Sequence, residues 1–470
     1  MPSHLHPAAA SSSSNGLLTA LRSALRGEII DPGHPIYHQA RQVWNGLVDR
    51  RPAAMARCNG TADVVAAVRV AREIRPPVSI RGGGHQVAGS ALCDDGLVID
   101  LSAMKRITVD PEARTARAEG GVTWGELDAA TQAFGLATPG GEVSTTGIAG
   151  FTLGGGMGVM MRTHGLACDN LRSAEIVTAD GEVRRAAPDE NPDLFWAIRG
   201  GGRGVGVVTS FEFQLHPLGP DVAVAQVFYP YEEAGSILRE WPELAGAMPE
   251  SVTPQLILWS VPPDPAIPPE LHGSRTVIAL GLFAGPAREG EAALEPLRHL
   301  GTPLFEASGI MPYVEIQSSV DALFPAGGRY YMKSHFMDDV TPEAAAAILE
   351  WDALAPTPES LVVLRTLGGA VRRVTSEESA FPHRSAAYNL SIDAGWSDPA
   401  LDHQAVAWAR DAWDATRPFA TGGVYINFSG LDEEADELRD GVFGRSLARL
   451  KAVREAHDPE GLFEAASRRP

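Results

Sequence analysis

The segment RGGGHQVAGS (81–90) places three glycines and a histidine directly after a short apolar run, Pro77–Ile80, that is typical of a β-strand. Further glycine-rich segments follow at TPGGEVSTTGIAG (138–150), LGGGMG (153–158) and RGGGRGVG (199–206). Glycine permits positive φ and a close approach of the backbone to a ligand, so such clusters often line a phosphate-bearing cofactor. Tight turns explain any single cluster more simply, but four of them between residues 81 and 206 favour a cofactor site.

Several familiar catalytic motifs are absent from the chain. No lysine follows a glycine, as a P-loop requires, and none of the clusters satisfies the GxGxxG pattern of a dinucleotide-binding turn. GxSxG, HExxH and paired CxxC are missing as well, so neither a nucleophile elbow nor a metal site has sequence support. None of these familiar motifs therefore explains the glycine clusters.

Composition limits the partners of the chain. The 470 residues are 44% hydrophobic and carry a formal charge of -20, which disfavours nucleic acid and anionic membranes and leaves a small molecule as the expected partner. We expect no membrane span, because no apolar run reaches the required length. The odd number of widely spaced cysteines (Cys58, Cys93, Cys168) and an N-terminus unlike a secretory signal predict a cytoplasmic protein. Oligomeric state is left open.

Hydrophobic periodicity predicts mixed helices and strands. Helices are predicted at 61–74, from a capping box at Thr123 and Glu126 to about Phe134, at 341–351 and at 443–456. Strands are predicted at 97–101, 106–109, 207–215, 274–283 and 361–366, and Asp180-Gly181 indicates a hairpin turn.

The composition of the sequence changes near residue 220, where glycine clusters are replaced by proline-rich turns. A chain of this length suits two domains. We predict a partly disordered N-terminal extension (1–36) that includes the low-complexity run Ala8–Ser14, a first domain (37–220), a second domain (221–415) and a C-terminal return to the first domain (416–470).

Four motifs, in order, resemble those of the berberine bridge enzyme-like oxidases, which are FAD-linked enzymes of the vanillyl-alcohol-oxidase, or PCMH, type. They are RGGGHQVAGS (81–90), GIAGFTLGGGMG (147–158), GLACDN (165–170) and YINF (425–428). The resemblance extends from about Tyr37 to Phe463 and is nearest to bacterial enzymes that tailor secondary metabolites. It implies an α+β, two-domain PCMH-type FAD-binding fold, in which the substrate domain is an antiparallel sheet covered by helices.

The resemblance also implies that FAD is bound through two covalent bonds. His85 matches the histidine that bonds the flavin 8α-methyl carbon, and Cys168 matches the cysteine that forms a thioether at flavin C6. Taken alone, the two residues are a loop histidine and a buried core cysteine. The remaining positions implied to contact the cofactor are Arg81, Gly82, Gly83, Gly84, Gly89, Ser90, Gly141, Thr146, Gly147, Ile148, Gly150, Gly155, Asp169, Asn170, Val208, Tyr425 and Asn427.

Tyr425 and Asn427 are the candidate catalytic residues, and as parts of a strand they would point to the same face. Tyr425 resembles the tyrosine near flavin N5 that helps deprotonate the substrate, although a tyrosine packed in a sheet is an equal alternative. A phenol needs a partner base for this task, and Lys333 and Arg365 are candidates. The family often places a carboxylate in the substrate domain, which the sequence alone does not align. Ile148 is implied to stand beside flavin C4a and to control the access of O2.

The function implied by these features is that of an FAD-dependent oxidase, which removes hydride from a carbon beside an alcohol or amine and uses O2 as acceptor. An oligosaccharide oxidase acting at the anomeric hydroxyl is an alternative, and the 7% aromatic content disfavours it slightly. An oxygen-insensitive dehydrogenase and a flavin-binding protein without turnover are further alternatives.

Overall fold

The computed structural model describes residues 7–431 and 440–463 and confirms the predicted α+β class. Two sheets belong to the glycine-rich first part of the chain. One sheet has the strand order Glu28–Ile30, Ala54–Arg57, Leu97–Asp100, Val78–Arg81, and the last three strands are parallel. The other is antiparallel, in the order Ile107–Asp110, Thr115–Glu119, Val207–Gln214, Leu171–Val177, Val183–Ala186. A short ladder joins Leu136–Ala137 to His216–Pro217.

Helices cover these two sheets and bury the apolar faces of the strands. They are Pro7–Ala24, Tyr37–Ala40, Thr61–Ile74, Trp124–Gln132, Ile148–Leu153, Met161–His164, Pro192–Ile198 and, from the C-terminal part, Leu447–His457. Leu450 and Val453 of the last helix pack into the same apolar cluster as the antiparallel sheet. Both ends of the chain therefore contribute to this half of the molecule.

A large antiparallel sheet forms the second half of the molecule. Its strands run in the order Phe305–Glu306, Asp221–Pro230, Arg275–Phe283, Val252–Ser260, Leu361–Thr366, Tyr388–Trp396, Arg329–Met337, and Gly309–Pro312 also pairs with the second of them. Its helices are Ala234–Ala247, Ala287–Leu294, Tyr313–Ser318, Pro342–Asp352, Ala370–Arg373 and Asp402–Thr416. The apolar cluster between the sheet and helices such as Ala234–Ala247 and Asp402–Thr416 contains buried Trp241 and Trp408. The predicted sheet covered by helices is confirmed.

Most of the predicted elements are present, with small shifts at their ends. Thr61–Ile74 is helical as predicted, and the capping box of Thr123 and Glu126 begins the helix Trp124–Gln132. The hairpin at Asp180-Gly181 joins Leu171–Val177 to Val183–Ala186. The C-terminal helix begins at Leu447 rather than at 443, because Gly444–Ser446 forms a 3-10 turn.

Two local predictions are wrong. Ala8–Ser14 was expected to lack structure, but the backbone there is part of the helix Pro7–Ala24, which is anchored by buried Leu17 and Leu21. YINF was expected to be a strand, but Ile426–Phe428 is a 3-10 turn preceded by Tyr425 in extended conformation. The short motif carries an apolar alternation, yet none of the described strands pairs with it, and Asn427 donates to the carbonyl of Phe151 in the helix Ile148–Leu153.

Within the described residues, no helix is both long and apolar enough to cross a membrane. The change of composition near residue 220 lies immediately before the first long strand of the large sheet, Asp221–Pro230. Because all strands of that sheet lie between 221 and 396, we propose the domain division at about 220 and 415.

Candidate functional site

The segment Gly82–His85 leaves the end of the parallel strand Val78–Arg81 and presents unused backbone donors. In the part of the chain that the structure describes, no hydrogen-bond acceptor is found for the N–H groups of these four residues. Gly84 has a φ of 68°, and a Cβ at Gly83 would lie 2.5 Å from the backbone nitrogen of Gly147. Consecutive free N–H groups on a glycine loop suit a phosphate. The residues present therefore fit the pyrophosphate of FAD.

The second glycine loop, 138–150, lies against the first and is held by the large-sheet domain. Asp321 accepts hydrogen bonds from the backbone N–H (2.8 Å) and the hydroxyl of Ser144. Gln317 donates to the carbonyl of Gly141. At Gly150, by contrast, a Cβ would meet open space. The loop is thus fixed from one side and open on the other, which leaves room for a planar ring system beside it.

His85 lies where the two loops meet. Its Nε2 is 3.0 Å from the hydroxyl of Thr145, and its ring stacks on Trp44, with 4.3 Å between the ring centroids. Trp44 in turn stacks on Tyr330 of the large sheet. Burial lowers the pKa of His85 to about 4, so the imidazole is neutral at neutral pH. A neutral and oriented imidazole is the nucleophilic form that a covalent bond to the flavin requires.

Cys168 lies in a closed apolar environment. The side chain has no exposed surface and belongs to a buried apolar cluster that includes Met157, Phe336, Phe381 and Tyr425. Burial raises the pKa of its thiol, and the neighbouring Asp169 carboxylate raises it further. The thiolate is the reactive form of cysteine, so both effects reduce the reactivity of this sulfur. This environment matches the core-cysteine interpretation more closely than the flavin-bonding one.

The residues after Cys168 have structural partners. Asp169 forms a bidentate ion pair with Arg384 (2.6 and 2.8 Å), and Arg199 lies 3.5 Å away. Asn170 hydrogen-bonds to the ring of His216 at 2.7 Å. These contacts join the segment GLACDN to the end of the helix Pro192–Ile198, to the strand His216–Pro217 and to the segment before the strand Tyr388–Trp396.

Most of the other positions implied to contact FAD make contacts within the protein. Arg81 donates to the carbonyl of Ala40 and packs below Gly84. Ile148 is fully buried in the apolar core of the first domain, as is Val208 at 4% exposure. A Cβ at Gly89 would collide with Val48, and a Cβ at Gly155 would collide with Phe381. Ser90 is half-buried. The backbone carbonyl of Thr146 accepts a hydrogen bond from the backbone N–H of Trp124 at 2.9 Å.

Tyr425 is enclosed, and its hydroxyl oxygen is surrounded by donors. The backbone N–H groups of Gly156 and Met157 (both 3.1 Å) and the side-chain amide of Asn427 (2.8 Å) point at it. Asn427 also donates to the carbonyl of Phe151 at 3.1 Å. Burial raises the pKa of Tyr425 to about 12 although the three donors lower it. With 1% exposure, the phenol does not reach an open surface.

We therefore expect Tyr425→Phe to affect stability. Loss of the hydroxyl leaves buried donors without an acceptor, which costs about 1–3 kcal/mol in the free energy of unfolding. The urea midpoint of the flavin-loaded protein should fall, and flavin reduction should change little. If the phenol acts as a base, flavin reduction should instead become much slower, whatever happens to the midpoint.

The face of the large sheet that is turned toward the first domain carries the polar residues of the site. Tyr330 contacts Trp44 and Ser334 contacts Tyr425, so alternate residues of Arg329–Met337 face the first domain. Directly opposed residues of an antiparallel sheet share a face. Met332 is opposite Asp393, and Asp393 therefore lies on the face turned toward the cradle.

Asp393 is a carboxyl group in an apolar setting. Met332 and Leu361 flank it on the neighbouring strands, and its Oδ1 is buried without a hydrogen-bond partner among the described residues. Ser391 donates to Oδ2 at 3.1 Å. Burial raises the pKa of Asp393 to about 6, opposed by Arg365. A carboxylate near neutral pKa with an unused oxygen is suited to accept a proton.

Asp393 was missed in the sequence because IDAGW carries no recognisable motif. Only the strand register assigns its side chain to the site, although a lone charge within the apolar strand YNLSIDAGW is a usable signal.

The two candidate partner bases fall on opposite faces of the sheet. Arg365 is on the same face as Asp393: it donates to Ser391 at 2.8 Å and lies over the ring of Phe428. Lys333 is one residue away from Met332, so it points to the helix-covered face, where its amine lies 3.9 Å from the ring centroid of Trp413. The prediction for Lys333 is therefore wrong, since alternation in the strand directs it away from the site.

Comparison with known proteins agrees with these features. An FAD binding domain family matches residues 52–187, which include the first glycine loop and His85. An uncharacterised FAD-linked oxidoreductase of Bacillus subtilis (strain 168) is 30% identical over 94% of this chain and 96% of its own length. The fold and the site define a flavoprotein of the PCMH type.

Two solved structures share the fold of this chain. BBE-like 1 of Physcomitrella patens superposes with a TM-score of 0.85 at 23% identity, covering 95% of this chain and 97% of that one. 6-Hydroxy-D-nicotine oxidase of Arthrobacter nicotinovorans superposes with a TM-score of 0.82 at 27% identity, covering 93% and 96%. The chain belongs to the FAD-linked oxidoreductases, as the resemblance to berberine bridge enzyme-like oxidases implied.

Proposed function

We propose that this FAD-dependent oxidoreductase is an oxidase that acts on the carbon beside a hydroxyl or amine group of a small organic molecule, with O2 as electron acceptor. FAD, when bound, supplies the acceptor for the hydride that leaves this carbon. The observation that carries the proposal is Asp393, a carboxylate with an unused oxygen on the sheet face turned toward the cradle. It would take the proton from the substrate heteroatom.

The same proposal gives roles to the residues around Asp393. Ser391 fixes one carboxylate oxygen by its hydrogen bond and leaves the other for the substrate. Arg365, held by Ser391 and by the ring of Phe428, supplies positive charge that keeps Asp393 ionised near neutral pH. Asp393 and Ser391 are both buried, which strengthens their interaction.

We also propose that FAD is attached through His85, which is supported by its neutral ring and its place beside the glycine cradle. A second bond through Cys168 stays a prediction of the family resemblance, and the closed environment of Cys168 argues against it. A role in secondary metabolism likewise stays a prediction.

Anaerobic flavin bleaching tests the proposed function. The purified yellow protein is mixed without oxygen with a panel of alcohols, amines and oligosaccharides, and then exposed to air. Bleaching by a small alcohol or amine followed by rapid recovery of colour is the expected result. Bleaching only by oligosaccharides, recovery only with another acceptor, or no bleaching would indicate the oligosaccharide oxidase, the dehydrogenase or the non-catalytic protein, respectively.

The pH dependence of flavin reduction is a second test. The raised pKa of Asp393, about 6, means that the carboxylate is lost as the pH falls through this value. The groups facing it are Arg365 and Ser391, which favour the ionised form, and Glu142, which opposes it. At saturating substrate, the reduction rate should be constant above this pKa and fall by about tenfold per pH unit below it. A flat profile through pH 6 would remove Asp393 from the role of base.

A further inference from the structure

A cavity between the two domains extends the site beyond Arg365. Its apolar lining comes from both domains and consists of Val159, Met161, Val224, Leu280, Leu282 and Ile316. Its charged and polar lining includes Glu142, Gln255 and Arg365. A ligand that enters it therefore meets apolar side chains together with Glu142 and Arg365, whose charges also act on Asp393 nearby.

The negative charge of Glu142 is offset by few neighbouring groups. It extends from the glycine loop that passes the cradle, and its side chain is 29% exposed. Its nearest positive group is the Arg365 guanidinium at 3.6 Å, and among the described residues no donor forms a hydrogen bond with it. Arg365 itself is partly engaged elsewhere, by Ser391 and by the ring of Phe428. The carboxylate thus retains acceptor capacity toward the cavity.

The polar residues on the same sheet face also lack donors. Asp393 Oδ1 and Asn389 Oδ1 are buried without a partner within residues 7–431 and 440–463. Asn389 and Asp393 are two alternating steps of one strand, and Asn389 is directly opposite Arg365. Unpaired buried acceptors are costly unless a ligand supplies N–H or O–H groups. The site therefore calls for a ligand rich in donors.

The balance of charges around the cavity also favours a ligand that donates hydrogen bonds. Glu142 and Asp393 carry two negative charges against the single positive charge of Arg365. Arg162, which follows the cavity residue Met161, is directed elsewhere, because its guanidinium donates to the carbonyls of Val252 and Met248. A neutral alcohol leaves the excess negative charge uncompensated, whereas an ammonium group balances it and provides several donors.

We propose that the substrate is a small amine with an apolar body, bound as its cation, and that Glu142 is a specificity-determining residue that recognises the ammonium group. The proposal rests on the proposed function for the later oxidation. The bound cation gives one proton to the carboxylate of Asp393, which leaves a neutral amine and a protonated Asp393. Glu142 keeps its charge throughout and holds the nitrogen in place.

Two matched probes that cannot be oxidised test recognition separately from turnover. 2-Phenylpropan-2-amine and 2-phenylpropan-2-ol have the same shape and no hydrogen on the reacting carbon. Each is titrated into the FAD-loaded protein, and binding is followed by the change in flavin absorbance and by thermal shift. We expect the amine to bind at least about tenfold more tightly than the alcohol at neutral pH, because only the cation forms charge-assisted hydrogen bonds.

Two variants test whether Glu142 causes the preference for the amine. Glu142→Gln should remove most of the preference for the amine and leave alcohol binding unchanged. The control, Glu250→Gln, changes an exposed carboxylate that pairs with Arg373 outside the cavity, and it should keep the preference. Equal binding of the two probes, or a preference that Glu142→Gln retains, would overturn the proposal. If the probes behave as expected but neither amines nor alcohols bleach the flavin, recognition stands and the proposed oxidase function fails.

Discussion

Asp393→Asn is expected to keep its flavin and to reduce that flavin about 100- to 10,000-fold more slowly under anaerobic conditions, the usual effect of losing a general base. The amide preserves the shape of the side chain and the contact with Ser391, but it cannot take a proton at any accessible pH. Stopped-flow mixing with the best substrate from the panel gives the rate directly. The variant should also lose the decline in rate below the Asp393 pKa of about 6, because that group is absent.

A matched control is available in the first domain. Asp128 is also buried, with a pKa raised by burial, and neither of its oxygens has a partner in the described part of the chain. Asp128→Asn makes the same chemical change in the helix Trp124–Gln132, outside the cavity. It should leave the reduction rate near that of the unmodified protein. If the two variants slow reduction equally, the effect of Asp393→Asn arises from general perturbation of the fold and not from the loss of a base.

The features that the sequence predicts well are those encoded in local patterns. The glycine runs from 81 to 206 require special backbone geometry, and the structure uses Gly83 and Gly147 where two loops touch. The Thr123 and Glu126 capping box and the Asp180-Gly181 hairpin are also local, since their hydrogen bonds span only a few residues. For these elements, residue type and spacing determine the conformation almost without tertiary contacts.

The features that depend on register or on enclosure were not predictable in this way. Asp393 and Lys333 lie on neighbouring strands, and only the register of the large sheet assigns them to opposite faces. Glu142 reaches the cavity because Ser144 and Gly141, on either side of it, are held by the other domain. In the same way, the short segment YINF gave no sign that Tyr425 would be enclosed by the backbone of Gly156 and Met157. All of these depend on contacts that are distant in sequence.

One experiment distinguishes which of the two candidate residues, His85 or Cys168, bonds FAD. His85 is half-buried, neutral and beside the cradle, whereas Cys168 has no exposed surface and a thiol whose pKa burial raises. We therefore expect His85→Ala to lose all flavin that survives acid precipitation, and to bind FAD only reversibly. Cys168→Ala should keep acid-stable flavin at the level of the unmodified protein.

Peptide mapping and the denatured mass of each protein measure this result, and Cys58→Ala serves as a control for the loss of another buried thiol. Retention of acid-stable flavin by His85→Ala would mean that the Cys168 thioether forms, as the family resemblance implies, and that Cys168 becomes accessible when FAD binds. Because Cys168 shares a buried apolar cluster with Phe336 of the large sheet, such access would require the packing between the two domains to open during cofactor loading. Loss of flavin from His85→Ala alone would instead show that a single bond holds the ring and that the wall stays closed.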